Sequence, residues 1–283
     1  MNDPDRMEDS LATLLLAPFV RGDGCKARIG LDALEDARRE AESADGVARP
    51  AFVAQTPTLL GDGLHYESRI AGRGVLATRE DGWHDLFNAL VWLRHPRLKW
   101  ALNARQVADI ARVGAKTRTR GQCAMTQFDE AGAIVWLADP VLLALWDAHD
   151  WAGLFLRERQ AWGRHIAVTV FGHALLEREF LGGGPLSTAK TIAVQVDAGA
   201  IAARCANGHS IVPRWPQAEA RIAEAIGDGR LLTDPQQPRP LPLVGIPGWH
   251  AAGDSEDFYR DAPCFRPLRE GRRYPPPFVV GAV

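Results

Sequence analysis

The sequence predicts a mixed α+β fold, rich in helix, folded as a single compact body around a small sheet. Three observations point there. Segments 29–43 (IGLDALEDARREAES), 83–113 and 217–226 place apolar residues and charges at helical spacing. Short β-branched runs such as 165–171 (HIAVTVF) read as strands. Ten of the 19 prolines lie beyond residue 233, seven of them within LPLVGIPGW, FYRDAPCFRP and YPPPF. Proline fixes φ and removes a donor, so this end is expected to wrap over the body. The expected organisation is one domain over 1–283, with a core at about 50–230 and residues 231–283 as a packed proline- and aromatic-rich extension.

Taken in order, residues 1–20 read as weakly structured, with a short helix near 11–16. Residues 50–60 contain two prolines and read as extended, 65–70 as a strand, and 75–78 as another. Asp81 and Gly82 open a central helix, with Asp81 as the capping side chain. Pro96 disfavours helical geometry at His95, so the helix ends or kinks there. A second helix over 97–113 stops at Gly114. Residues 123–128, the turn DEAG and 133–137 read as a β-hairpin. Two apolar helices follow at 140–149 and 151–162. Strand 165–171, helix 173–181 and strand 191–196 have the length of a βαβ unit; the alternative is a helix over 187–203, capped by Ser187 or Thr188.

A net charge of −2 gives no global reason to expect nucleic acid or an anionic membrane as partner. Cys25, Cys123, Cys205 and Cys264 form no CxxC pair, which disfavours a zinc ribbon or redox dithiol and fits a reducing compartment. The first ten residues are acidic, unlike a signal peptide. No apolar run approaches the roughly 20 residues of a membrane span. A cytoplasmic protein is expected.

Chemistry concentrates in residues 83–100 (WHDLFNALVWLRHPRLKW), which hold three tryptophans and two histidines. At about 100° per residue, His84, Asn88 and His95 share a narrow stripe on an otherwise apolar helix, with Asp85 beside it. That stripe faces either solvent or a ligand. In 173–181 (HALLEREFL), His173 and Glu177 fall on the apolar side at i,i+4. A carboxylate there needs a partner, since burying it alone is prohibitive. Asp129 and Glu130 supply adjacent carboxylates, which read either as a charged turn or as hard oxygen ligands. The candidate catalytic residues are His84, His173, Glu177 and Asn88. The candidate metal ligands are His84, Asp85, Asp129, Glu130 and His173, a set suited to a divalent cation and its activated water. HExxH, P-loop, GxSxG and GxGxxG motifs are absent. Gly182–Gly184 lacks the Lys-Ser/Thr of a phosphate loop. Arg112, Lys116, Arg118 and Arg120 form a local basic cluster, either a solvated face or a phosphate contact.

The stretches WHDLFNALVWLRHPRLKWALN, FDEAG, FGHALLE and LPLVGIPGW…FYRDAPCFRP, in that order, resemble the DUF3025 family of bacterial proteins of unknown function. The resemblance spans about residues 50–270. It implies a bacterial cytoplasmic protein and carries no activity or cofactor to transfer. Two functional expectations stand. One is a hydrolase-type enzyme with a His/Asp/Glu site and a divalent metal. The other is a non-catalytic module that binds a nucleotide, RNA or protein through Trp83, Trp92, Trp100 and the arginine cluster. A small molecule or nucleotide is the expected partner; a membrane is not, and nucleic acid is disfavoured.

Overall fold

The computed structural model describes residues 30–79, 82–181, 187–205, 210 and 214–281. Expectations for residues 1–20, for Cys25, for Asp81 as a cap and for Gly182–Gly184 lie outside these residues.

The helix-rich α+β class holds, with two sheets. Helix α1 (Leu31–Asp45) precedes strand β1 (Ala51–Ala54). Helices α2 (Pro57–Leu60) and α3 (Tyr66–Arg73) then lead to β2 (Val75–Thr78), which pairs in parallel with β1. Two expectations fail here. Thr56 caps α2 where extended chain was expected, and His65 caps a helix over the expected strand at 65–70. Gly74, in the left-handed region at φ 62°, ends α3. Arg69 is buried on that helix, where Asp62 accepts from its guanidinium at 2.7 and 3.0 Å.

The central helix α4 (Trp83–Arg94) and α5 (Pro96–Val113) meet at His95, whose φ of −123° breaks the helical path ahead of Pro96. The expected hairpin at 123–137 does not form. Residues Arg120–Ala131 are helix α6, followed by strand β3 (Gly132–Leu137). The reason is a capping box: Thr119 Oγ1 accepts from Gln122 N at 3.0 Å, and Gln122 Oε1 accepts from Thr119 N at 2.9 Å.

Helix α7 (Pro140–Asp147) is followed by a helical turn of π type, Gly153–Arg157. Strand β4 (Ile166–Val170), helix α8 (His173–Phe180) and strand β5 (Thr188–Gln195) follow as strand, helix and strand. They are not a βαβ unit. Strand β3, buried at every position, lies between β4 and β5, antiparallel to the first and parallel to the second. Strands β1 and β2 are the parallel pair joined through helices alone, α2 and α3. Helices α9 (Ala198–Ala202) and α10 (Pro216–Gly227) precede β6 (Arg239–Pro242), which extends the sheet beyond β5.

The proline-rich end makes one short helix, α11 (Glu256–Asp261), and strand β7 (Phe278–Val279), which also pairs with β5. Otherwise it is irregular and tied down by side chains. Arg239 is buried against Asp147, Trp146 donates to the carbonyl of Pro240, and Trp151 donates to that of Arg266. Among the described residues, no helix is long and apolar enough to cross a membrane.

Candidate metal centre

Five helices meet around one site. Helix α4 packs on α8, α6 packs on both α8 and α5, and α3 packs on α5. Aromatic rings set the first contact: Trp83 and Phe87 meet Phe180 with centroids 5.0 and 5.6 Å apart. This packing aims the first turn of α4 at the first turn of α8. His84 Nδ1 then lies 2.9 Å from Glu177 Oε2, and the Nε2 atoms of His84 and His173 lie 3.0 Å apart.

The third helix arrives by close backbone approach. Gly172 precedes α8 directly against the α6–β3 junction, where a Cβ would stand 2.5 Å from Gly132 N and 2.6 Å from Glu130 O. Only glycine fits there. The approach brings Glu130 Oε2 to 3.5 Å from His173 Nε2 and 3.9 Å from His84 Nε2. His84, Glu130 and His173 thus each offer one ligand atom within 4.8 Å of the others. A point in the plane of those three atoms lies about 2.0 Å from each, the bond length zinc makes to imidazole nitrogen and carboxylate oxygen.

The ring protons follow from the neighbours. Glu177 can only accept, so His84 carries its proton on Nδ1 and presents a lone pair at Nε2. His173 Nδ1 faces Asp129, whose Oδ2 is 3.9 Å away. That distance is too long for a hydrogen bond, and Nδ1 has no hydrogen-bond partner among the described residues. The Nε2 atoms of His84 and His173, 3.0 Å apart, either share one ring proton or, with the His173 proton on Nδ1, leave two lone pairs beside the Glu130 oxygen for a cation.

Charges around the centre are set by burial and by Lys99. Burial lowers the His173 pKa to about 4 despite Asp129, so the ring is neutral at pH 7. Burial raises Glu130, partly offset by His84. Asp129 would also be raised by burial, but Lys99 and His173 outweigh it and hold the carboxyl below its ordinary range. Lys99 Nζ donates to Asp129 Oδ1 at 2.6 Å and to Asn88 Oδ1 at 2.8 Å, and Asn88 in turn donates to the Tyr66 hydroxyl. The centre opens into a cavity of about 390 Å³, which Glu67, Asn103 and Trp92 also line.

The sequence-derived residues divide cleanly. His84, His173, Glu130 and Glu177 come together, with Asp129 and Asn88 beside them through Lys99. Asp85 does not join as a ligand: both its carboxylate oxygens accept from the Arg79 guanidinium, at 2.8 and 2.9 Å. His95 leaves the stripe at the Pro96 break and bonds Glu219 Oε2 through Nδ1 at 3.1 Å. The tryptophans do not form a binding face. Trp92 is buried, Trp100 meets it edge-on at 5.0 Å, and Trp83 is partly buried. Arg112 and Arg120 are engaged by Asp109 and Asp234. Sequence reasoning missed Lys99, Asn103, Tyr66 and Glu67. Lys99 and Asn103 stand at i,i+4 beside the buried Leu98 and Leu102 of α5, the same pattern that marks His173 and Glu177.

A family described as "Protein of unknown function (DUF3025)" matches residues 51–269. No curated protein and no solved structure matches the chain.

Proposed function

Since the chain belongs to the DUF3025 family, whose description assigns no activity, the site itself must supply the reading: we propose a metal-dependent hydrolase, with a divalent cation held by His84, His173 and Glu130. One observation carries it. Three lone-pair-bearing atoms of these residues surround a common point at roughly metal–ligand distance. Two histidines and one carboxylate leave coordination open to water, as catalytic zinc sites do and closed structural sites do not.

The chemistry of a bound cation here would be to lower the pKa of its water to near neutrality. The chain's own groups do the rest. Glu177 fixes the His84 tautomer, and such partners of metal-bound histidines orient the ring and raise its basicity. Asp129, kept ionised by Lys99, lies 3.9 Å from His173 Nδ1 and is a proton acceptor at the cavity wall. Lys99 and Asn88 direct polar atoms into the cavity, where they orient a substrate carbonyl or phosphoryl oxygen. A reducing, cytoplasmic setting belongs to this reading and suits the free thiols of Cys123, Cys205 and Cys264.

The test is reconstitution. Protein stripped by a chelator is reloaded with zinc, manganese or ferrous ion, the last because two histidines and a carboxylate also suit it. Ester, amide and phosphoester probes are then offered. Hydrolysis that requires added metal and disappears in His84→Ala and Glu130→Gln supports the proposal. A rate indifferent to metal, or retained by His84→Ala, sinks it.

A further inference from the structure

A second cleft, of about 940 Å³, lies between β5 and the proline-rich end. Its charge is lopsided. Arg178, Lys190, Arg266, Arg269, Arg272 and Arg273 line it, and Glu270 is the one carboxylate among its described lining residues. Elsewhere the arginines of this chain are mostly tied to acids: Arg38, Arg49, Arg69, Arg120, Arg157 and Arg239 all make ion pairs. The cleft cations form none among the described residues. Arg272 donates to the Gln236 carbonyl and lies over the Tyr274 ring at 4.5 Å. Six cations against one carboxylate in the lining leave the cleft with a net positive charge that an anion would offset.

Two further observations point the same way. Ser187 lines the cleft just before β5, is buried to 3% exposure, and its hydroxyl has no hydrogen-bond partner among the described residues. A buried hydroxyl without a partner costs free energy that an acceptor oxygen from a ligand would recover. Lys190, on the strand floor beside it, has its pKa lowered by burial and then by Arg272, Arg269 and Arg266. An anion bound beside it would favour its charged form.

We infer that this cleft binds a small molecule bearing an oligophosphate, such as the phosphate tail of a nucleoside di- or triphosphate. Arginine forks match phosphate oxygens in pairs, and lysine serves as a point charge. Six cations exceed what one phosphate group needs. The volume is that of a small-molecule site, and the chain's net charge of −2 gives no long-range attraction to a polyanion such as a nucleic acid.

Calorimetric titration of the full chain with inorganic tripolyphosphate, at fixed ionic strength and without metal, tests this. Saturable one-to-one binding is expected, with Kd raised at least about tenfold in Lys190→Gln and in the exposed-loop double variant Arg266→Gln/Arg269→Gln. Ser187→Ala weakens it by a smaller factor, and Lys190→Arg retains it. The His84→Ala/His173→Ala variant binds as wild type does, so the cleft and the proposed metal centre fail or survive separately. Absence of saturable binding, or equal Kd in Lys190→Gln and Arg266→Gln/Arg269→Gln, overturns the inference. So does a short single-stranded RNA that binds where tripolyphosphate does not.

Discussion

At the residue scale, two imidazole nitrogens stand 3.0 Å apart, His84 with its other nitrogen bonded to Glu177 and His173 with its other nitrogen 3.9 Å from Asp129. Glu177 is the most informative of these groups, because it touches His84 and not the shared point. Glu177→Gln should lower divalent-metal affinity by about 10- to 100-fold, measured by competition with a chromophoric chelator, while far-ultraviolet circular dichroism stays unchanged. Equal affinity in the variant would mean that the tautomer of His84 is set elsewhere. Gly172 is tested by Gly172→Ala. The added methyl would meet backbone atoms of Ala131 and Gly132, which cannot swing aside. Unfolding in urea should show a loss of about 1–3 kcal/mol, with weakened metal binding because Glu130 and His173 are forced apart.

At the scale of elements, the capping box of α6 decides where the two acids stand. As a turn, Asp129 and Glu130 would project together; in the last turn of a helix they diverge by about 100°. One reaches Lys99 and the other the histidines. Thr119→Ala should cost about 1 kcal/mol of stability, read as a lower urea midpoint. No change there would show that α6 is held by packing alone. A second element-scale test lies at α3. Asp62 accepts from Arg69 and from Leu64 N, which pulls its pKa down to about 2. A depressed carboxyl stabilises the fold above its unfolded pKa, near 3.9. The contribution fades as pH falls through the folded value. The stability gap between wild type and Asp62→Asn should therefore be constant above about pH 5 and close between about pH 4 and pH 2. A gap that persists at pH 2 would contradict the ion pair.

These two elements also show what was legible in the sequence. The helix pair around Pro96, the strand at 75–78 and the helices at 173–181 and 217–226 follow from periodicity and from proline and glycine positions. Helices α3 and α6 did not, because their apolar residues also fit an alternating pattern. Their caps decide: His65 and Gly74 for one, Thr119 with Gln122 for the other. The sheet order was not legible, since β3 inserts between two strands that are close in sequence. For the site, polar residues at i,i+4 on apolar faces identified His84, His173 and Glu177. Lys99 and Asn103 carry the same pattern on α5, and their absence from the candidates left Asp129 without its counter-charge.

Over the whole molecule, the proline-rich end and the sheet meet on one side, and the helices α3, α4, α5, α6 and α8 meet on the other. The proposed metal centre lies in the helical half and the basic cleft lies against the sheet, with α8 reaching both through His173 and Arg178. The proposed cation would sit where α4, α6 and α8 bring His84, Glu130 and His173 together. X-ray absorption of the full chain carrying one equivalent of zinc tests this placement directly. The predicted spectrum has a first shell of nitrogen and oxygen scatterers at about 2.0 Å with the outer-shell signature of two imidazoles, lost in His84→Ala/His173→Ala. A shell of water oxygens alone, or a spectrum unchanged in that double variant, would contradict the account.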